Sequence, residues 1–157
     1  KEVNADIKYQ TAWTGSFTDT ALAKEAAQAM IDNGADVIGH CANESGTGAL
    51  NAAQDAGVLA TGDSYDQSSL AENAVLSSAV YHVPELIKTA VSDIKEGKFK
   101  GEVKELGMAE GIVELVYNEK MAEEIPAEVK KLVDETEAKI KDGSFEVPCD
   151  TKDRAGK

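Results

Sequence analysis

Twice along the chain, a predicted helix ends at a glycine and a short apolar run follows it. The first helix is predicted over residues 20–33 and the second over residues 47–56, with a glycine directly after each. The apolar runs that come next, residues 36–40 and 58–61, have the length and composition of buried strands. This alternation predicts an α/β fold in which helices flank a parallel sheet.

The same signals predict further elements on both sides of this pattern. Ile7, Tyr9 and Thr11 alternate with other residues, which predicts a strand over residues 6–13 ahead of the first helix. Further strands are predicted at residues 75–81, 103–107 and 112–117, and further helices at residues 84–96 and 126–141. The side chains that we expect to face inward from the helices are Leu22, Ala26, Ala29 and Met30, then Leu86, Ile87, Ala90, Val91 and Ile94, and finally Val129, Leu132, Val133 and Ile140.

The length and charge of the chain limit the classes of protein to which it can belong. A chain of 157 residues suits a single domain with a full core, and we expect a folded lobe over residues 1–148 and a flexible tail over residues 149–157. The 29 acidic and 16 basic residues give a formal net charge of −13, which disfavours binding to nucleic acid or anionic lipid. Lys1 is not an initiator methionine, so we expect a processed signal or a whole additional lobe to precede it.

The reactive side chains of the sequence do not form a recognisable catalytic or metal-binding motif. Cys41 and Cys149 lack the spacing of metal ligands, and we expect a small core residue in the first case and a tail thiol in the second. The two histidines, His40 and His82, are not spaced as metal ligands either, and Ser45 lies outside a Gly-x-Ser-x-Gly context. The sequence therefore predicts a protein that is not an enzyme and carries no cofactor.

Three predicted strand-to-helix turns carry polar, glycine or aromatic residues. These turns cover residues 13–19, 43–48 and 62–67. In an open parallel sheet such turns emerge at the carboxyl edge of the strands, where these sheets bind small molecules. The spacing therefore predicts one side of a ligand-binding cleft.

The first two turns combine aromatic side chains with glycine-rich backbone. Trp13 and Phe17 are each able to stack on a planar ligand such as a nucleobase or, alternatively, to plug the edge of the core. Asn43 and Gly46 lie just before a helix, where bare amides can receive an oxygen-rich group, although Gly46 and Gly48 also suit a tight turn without any ligand. The lysine and the glycine spacing of a phosphate-binding loop are missing.

Polar side chains also follow the third and fourth predicted strands. Asp63, Ser64 and Tyr65 come directly after the third strand, and an ionised carboxylate there can accept hydrogen bonds from the hydroxyls of a sugar, although Asp in a loop also bonds its own backbone. Tyr81 ends the fourth strand, and its hydroxyl is able to donate into the same cleft. The neighbouring His82 is a further candidate donor, although a lone histidine is more often structural.

Several short phrases, taken in order, resemble the basic membrane protein (BMP) family of solute-binding lipoproteins, which includes purine-nucleoside-binding components of ABC importers. The resemblance covers nearly the whole chain, and it implies a two-lobed, type I periplasmic-binding-protein-like fold. This chain is similar to the C-terminal lobe, and the N-terminal lobe is missing from it. The phrases are Trp13-Thr-Gly-Ser-Phe-Thr-Asp19, Ala29-Met-Ile-Asp-Asn-Gly-Ala-Asp-Val-Ile38, Gly46-Thr-Gly48, Asp66-Gln67, Val75-Leu-Ser-Ser78, Gly111-Ile-Val-Glu-Leu115, Ile140-Lys-Asp-Gly143 and Val147-Pro148.

The resemblance also implies roles for individual residues. Phe17 resembles the base-stacking aromatic of the family, and Asn43 falls where the glycine-rich loop makes a backbone contact. The family usually has Gly-x-Asp after the third strand, whereas this chain has Gly62-Asp63-Ser64, so Ser64 matches by position and Asp63 by chemistry. A lysine that often follows the fourth strand is replaced by Tyr81, which changes the charge and the donor geometry of the cleft.

The function implied by the resemblance is solute binding for an ABC importer. The expected partners are a small ligand, namely a purine nucleoside or a related heterocycle, the permease and the missing N-terminal lobe, with no nucleic acid. The expected location is extracytoplasmic, either in the periplasm or lipid-anchored to the outer face of the cell membrane. Two alternatives remain open: a ligand-sensing domain of a transcriptional regulator or signalling receptor with the same fold, and an α/β enzyme with an unrecognised site.

Overall fold

The computed structural model describes residues 4–147, so Cys149 and the predicted tail over residues 149–157 lie outside the described residues. Helices and strands alternate through most of this range. Short 3₁₀ turns lie at Asn43–Ser45, Ser68–Leu70 and Ala122–Glu124. The regular elements, in chain order, are α1 (Thr20–Asp32), β1 (Val37–Gly39), α2 (Gly46–Ala56), β2 (Leu59–Ser64), β3 (Val75–Tyr81), α3 (Val83–Lys95), β4 (Val113–Tyr117) and α4 (Ala127–Lys141).

The four strands form one sheet in the order β1-β2-β3-β4. β1 runs parallel to β2, with Ile38 opposite Ala60. β2 runs parallel to β3, with Gly62 opposite Ser78, and the register shifts by one irregularity between Ala60 and Thr61. The predicted α/β fold with a parallel sheet is therefore confirmed for these three strands, and their carboxyl ends lie at one edge of the sheet.

The ends of the first two helices follow the local signals in the sequence. The Asp19 side chain caps α1, because its Oδ1 accepts hydrogen bonds from the backbone N–H groups of Ala21 at 3.0 Å and Leu22 at 3.1 Å. Gly57 ends α2 with a φ of 69°, a left-handed conformation that glycine adopts without a steric penalty. These local rules explain why the predicted bounds of both helices differ from the observed bounds by only one residue.

The core is built mainly from alanine and lies where α2 packs against α1, β1 and β2. Leu50 and Val75 are the largest apolar side chains that are fully buried there. Small side chains allow the elements to approach closely, and a Cβ atom on Gly48 would lie only 1.9 Å from the backbone oxygen of Thr20. On α1 the buried residues are Ala23 and Ala27, so the predicted inward set was wrong in including the exposed Leu22 and Ala29.

Two predicted strands are wrong. Residues 6–13 form no strand. The alternating side chains Ile7 and Tyr9 are exposed, so they do not form a buried face. Residues 103–107 also lack regular structure, and Val103 is exposed. Neither segment has a neighbouring strand in the described sheet to supply hydrogen bonds.

The inward faces predicted for α3 and α4 are wrong for most of their residues, although Val133 and Ile140 on α4 are half-buried. Neither helix contains a buried residue, and Leu86, Ile87, Val91, Ile94, Val129 and Leu132 are all exposed. Cys41, which was expected in the core, is exposed because it follows the end of β1 in a loop beyond the sheet. Within residues 4–147, α3 and α4 therefore each leave apolar side chains exposed.

The chain divides into two compact units. The first unit contains the residues up to Val80 together with Leu115–Glu124, and it includes the alanine-rich core. The second unit contains Tyr81–Glu114 and the residues from Ile125 onward, and Ile112 is its one buried apolar side chain within the described range. Within residues 4–147, no helix is both long and apolar enough to cross a membrane.

Candidate ligand-binding site

The loop before α1 and the loop after β1 are joined by a buried serine. The backbone N–H of Ser45 donates to the carbonyl oxygen of Phe17 at 3.0 Å. The hydroxyl of Ser45 donates to the carbonyl of Ala42 at 2.8 Å and also lies 3.1 Å from the carbonyl oxygen of Ser16. Ser45 therefore brings the Phe17 loop beside the Asn43 loop at the carboxyl edge of the sheet.

The loops after β1 and β2 are joined by a second set of hydrogen bonds. Nε2 of His40 lies 2.9 Å from Oε1 of Gln67, and the same oxygen accepts a hydrogen bond from the backbone N–H of Asp63 at 3.0 Å. The backbone N–H of Gln67 donates to Oγ of Ser78 on β3 at 3.1 Å. The ends of β1, β2 and β3 are thus linked through the side chains of two residues, Gln67 and Ser78.

The acidic residue of the candidate site is ordered by its neighbour. The hydroxyl of Ser64 donates to Oδ2 of Asp63 at 2.9 Å. Asp63 is half-buried and Ser64 is exposed. The half-buried carboxylate at the end of β2 therefore has one oxygen oriented by the adjacent hydroxyl. A carboxylate oxygen can accept more than one hydrogen bond, which suits it to hydroxyl donors.

Two non-glycine residues of the candidate site adopt left-handed backbone conformations. Asn43 has a φ of 51° and Ser64 has a φ of 73°, and within the described residues these are the non-glycine residues with positive φ. Each such residue costs free energy, and positions of this kind cluster at functional sites in proteins. Both predicted contact residues therefore occupy backbone positions that are held by the surrounding structure.

The predicted aromatic residues of the first unit are exposed. Trp13 is 94% exposed and Phe17 is 68% exposed, so the alternative in which either residue plugs the core is wrong. Tyr65 is also exposed. These side chains present aromatic faces at the surface of the loops that Ser45 and Gln67 hold together.

The predicted glycine contact has a packing explanation. A Cβ atom on Gly46 would lie 2.0 Å from Nδ1 of His40, so the absence of a side chain there makes room for the imidazole ring. Gly46 is itself buried at the start of α2. The absence of a side chain at Gly46 is therefore required by the His40 ring beside it, whereas its φ of −57° is one that any residue adopts.

The remaining candidates belong to the second unit. Tyr81 is the last residue of β3 and is exposed. His82, the alternative donor, forms an ion pair or hydrogen bond between its Nε2 and Oε2 of Glu114 at 2.7 Å. The structure groups Phe17, Asn43, Gly46, Asp63 and Ser64 on the connected loops of the first unit, and it describes Tyr81 and His82 separately.

Sequence reasoning missed the residues that connect the loops. His40, Ser45, Gln67 and Ser78 were not among the predicted contacts, although Asp66-Gln67 and Ser77-Ser78 both lie in the family phrases. A buried polar residue must find hydrogen-bond partners, so a glutamine or serine beside a predicted apolar strand is a signal for such a link. The partner itself depends on the tertiary fold.

The fold and the linked edge loops define an α/β module in which strand-end loops are joined at one edge of a parallel sheet. A model of the Bmp family, described as ABC transporter substrate-binding protein PnrA-like, matches residues 1–151, and the chain belongs to this family. The family resemblance in the sequence is thereby confirmed.

Curated relatives share about a third of the aligned residues. Basic membrane protein A from Borreliella afzelii is 35% identical over 152 residues, which cover 94% of this chain and 46% of that protein. A purine-binding protein from Brucella abortus is 32% identical over 145 residues, which cover 92% of this chain and 40% of that protein. The chain thus spans less than half the length of these relatives.

Solved structures show the same fold at lower identity. A solute-binding protein of an ABC transporter system from Aeropyrum pernix K1 superposes with a TM-score of 0.72 at 24% identity, over 89% of this chain and 48% of that one. A transcriptional activator of the comK gene from Bacillus halodurans gives a TM-score of 0.74 at 23% identity, over 85% of this chain and 46% of that one. Both comparisons support the type I periplasmic-binding-protein-like fold.

Proposed function

We propose that this chain supplies part of an extracytoplasmic solute-binding protein of an ABC importer and that it binds a purine nucleoside or a related heterocycle. The observation that carries the proposal is the joining of three loops at one edge of the parallel sheet. Ser45 ties the Phe17 loop to the Asn43 loop, and Gln67 ties His40 to Asp63. Family membership and the printed names of relatives, one of them a purine-binding protein, support this choice of ligand.

Each connected loop offers a contact that suits one part of a nucleoside. The exposed ring of Phe17 stacks on the planar base. The carboxylate of Asp63, oriented by Ser64, accepts hydrogen bonds from the sugar hydroxyls. The loop at Asn43 and Gly46 contributes polar backbone next to the start of α2. These roles require binding without chemical conversion, so the proposed protein is not an enzyme.

The exposed apolar faces of the second unit support a larger, two-lobed protein. Leu86, Ile87 and Ile94 on α3, and Val129 and Leu132 on α4, are exposed, although soluble proteins usually bury such amphipathic faces. In the relatives, more than half of the chain lies outside the matched region. We propose that a complementary lobe from the longer protein covers these faces and that residues 1–148 supply half of the binding protein, with the permease as a further partner.

Substitution of Phe17 tests the proposed ligand. We expect Phe17→Ala to weaken the binding of adenosine or inosine by about tenfold or more, because base stacking on an aromatic ring contributes roughly 1–3 kcal/mol. Phe99→Ala is the matched control, since Phe99 is also exposed, at 58%, but lies in the second unit. Isothermal titration calorimetry measures both affinities, and equal affinities for the two variants would contradict the stacking role.

A second candidate is ligand sensing by a regulator or receptor of the same fold. The structural similarity to the transcriptional activator from Bacillus halodurans favours this alternative at the level of the fold. The coding sequence upstream of the codon for Lys1 distinguishes the importer component from the regulator or receptor. A signal sequence with a lipobox supports the importer, whereas a helix-turn-helix domain supports the regulator.

A further inference from the structure

We propose that His40 and Gln67 are positioning residues that hold the carboxyl end of β2, at Asp63, in its binding conformation, an inference that rests on the proposed function. Gln67 is 2% exposed and Ser78 is 1% exposed, whereas His40 and Asp63 are half-buried, so the link runs from the interior of the first unit towards its surface. The side-chain oxygen of Gln67 receives the N–H of Asp63 at 3.0 Å and meets Nε2 of His40 at 2.9 Å. Neither residue needs to touch the ligand for the link to act.

The hydrogen bonds define the tautomer of the His40 ring, that is, which ring nitrogen carries the hydrogen. The N–H of Asp63 can only donate, so the Gln67 atom that it meets is the carbonyl oxygen, which is an acceptor. Nε2 of His40 must therefore carry the hydrogen that it shares with this oxygen. Nδ1 of the neutral ring is then an acceptor, and the backbone N–H of Ala42 lies 3.4 Å from it. One imidazole ring thus connects the loop after β1 with the loop after β2.

Two glycines make room for this link. A Cβ atom on Gly46 would lie 2.0 Å from Nδ1 and 2.2 Å from Cε1 of His40. A Cβ atom on Gly62 would lie 2.4 Å from Oγ of Ser78 and 2.9 Å from Cβ of Gln67. Side chains at either position would displace the linking residues, so both glycines have a steric role in the same network.

The consequence for binding is preorganisation of the acidic contact. The Asp63 amide is held by Gln67, while the Asp63 carboxylate is oriented by Ser64, whose φ of 73° is unfavourable for a serine. Oε1 of Gln67 accepts hydrogen bonds from His40 and from the Asp63 amide. Without the hydrogen bond from His40, only the one from Asp63 remains to hold the Gln67 side chain. The end of β2 at Asp63 then samples more conformations before the ligand arrives, and the free-energy cost of ordering it on binding lowers the affinity.

Two substitutions of His40 separate its two hydrogen bonds. The amide nitrogen of a glutamine side chain reaches the position of Nε2, so His40→Gln retains the donor to Gln67. An asparagine side chain reaches only the position of Nδ1, so His40→Asn retains the contact with Ala42 and loses the donor to Gln67. We expect His40→Gln to keep the wild-type affinity for adenosine and His40→Asn to lower it about fivefold.

Hydrogen exchange provides a readout that does not depend on the ligand. We expect the Asp63 amide to exchange faster in His40→Asn and in Gln67→Met than in the wild-type protein, and at the wild-type rate in His40→Gln. Gln54→Met is the matched control, because Oε1 of Gln54 also accepts a backbone N–H, that of Asn73 at 3.2 Å, away from the candidate site. In this control variant, the Asn73 amide should exchange faster, and the exchange rate of the Asp63 amide should stay at the wild-type value.

The outcomes distinguish the link from the proposed function. Wild-type exchange of Asp63 in both His40→Asn and Gln67→Met would overturn the positioning role, as would equal losses of affinity in His40→Asn and His40→Gln. Faster Asp63 exchange in the expected variants, combined with no adenosine binding by the wild-type protein, would support the link and contradict the nucleoside proposal.

Discussion

At the scale of single residues, the candidate site uses side chains in two different ways. Phe17, Asp63 and Ser64 stand at the surface where a solute can reach them. Ser45, Gln67 and Ser78 are buried and use their polar atoms within the protein. A binding site needs both classes, because contacts on loops have a defined geometry only when buried hydrogen bonds fix the loops.

Ser64 provides a residue-scale prediction, because its backbone and its hydroxyl have opposite effects. We expect Ser64→Gly to raise the free energy of unfolding by about 1 kcal/mol, because glycine adopts the left-handed conformation without a steric penalty. The greater conformational entropy of glycine in the unfolded chain offsets part of this gain. The same variant should bind adenosine more weakly, because the hydrogen bond to Oδ2 of Asp63 is lost. Chemical denaturation and calorimetry measure the two effects.

Ser64→Ala is the control for this prediction. It removes the hydroxyl but keeps a Cβ atom at φ 73°, so it should lose affinity without gaining stability. Equal stabilities for the glycine and alanine variants would show that the left-handed conformation carries no strain at this position.

The sequence analysis selected the candidate contact residues of the site but not the hydrogen-bonded links beneath them. Phe17 and Asp63 were selected because an aromatic ring and a carboxylate each have a direct ligand chemistry. His40 and Gln67 are 27 positions apart, and nothing in either residue indicates that it meets the other. The pairing depends on β1 and β2 being neighbours in register, which is a tertiary property.

At the scale of elements, close packing of α1 and α2 positions the two loops that precede these helices. α2 begins directly after the Asn43–Ser45 turn, and α1 begins directly after the Phe17 loop, so the spacing of the helices affects the spacing of the loops. The approach is close at Gly48, whose missing side chain faces the backbone of Thr20. Small residues at this contact therefore set the spacing of the loops that carry the candidate site.

We expect Gly48→Ala to destabilise the protein by roughly 1–3 kcal/mol or more, because the helices must separate to admit the methyl group. Alanine is favoured over glycine by about 1 kcal/mol within a helix, but a contact of 1.9 Å with a backbone oxygen outweighs that gain. Thermal unfolding measures the loss. Gly101→Ala is the control, since no atom lies within 4 Å of its Cβ position, and a comparable loss there would contradict the packing argument.

Element prediction succeeded where local rules and tertiary structure agreed. The capping residue Asp19 and the left-handed Gly57 mark helix ends by local chemistry alone, and β3 was predicted with its observed bounds. The predicted strand at residues 6–13 was wrong because alternation requires a neighbouring strand and a buried face. The inward faces of α3 and α4 were recognised as amphipathic, but the chain itself does not bury them.

The apolar face of α3 gives a further prediction at this scale. We expect Ile94→Lys to change the stability of the 157-residue chain by less than about 0.5 kcal/mol, since Ile94 is 60% exposed. In the longer protein, the same substitution should destabilise the fold, because a complementary lobe would bury this side chain. Thermal unfolding of both forms makes the comparison, with Val103→Lys as an exposed control. Equal effects of Ile94→Lys in the two forms would contradict the proposed covering lobe.

At the scale of the whole molecule, the two compact units differ in how complete they are. The first unit has its own core and carries the connected loops, whereas the second unit exposes the apolar faces of two helices. The chain covers less than half the length of its relatives, and these facts together support a binding protein that needs further chain to enclose its ligand. Because an open half leaves much of a ligand in contact with water, we expect the isolated chain to bind nucleosides more weakly than about 1 μM.

The most direct test of the connected edge is an NMR titration of the ¹⁵N-labelled chain with adenosine, with glucose as a control solute. We predict that the amide signals of residues 16–19, 43–48 and 62–67 shift together along one binding curve, with a fitted dissociation constant weaker than about 1 μM, and that glucose leaves them unchanged. Shifts confined to the second unit, or no shifts at millimolar adenosine, would contradict the claim that these loops form one nucleoside-binding surface.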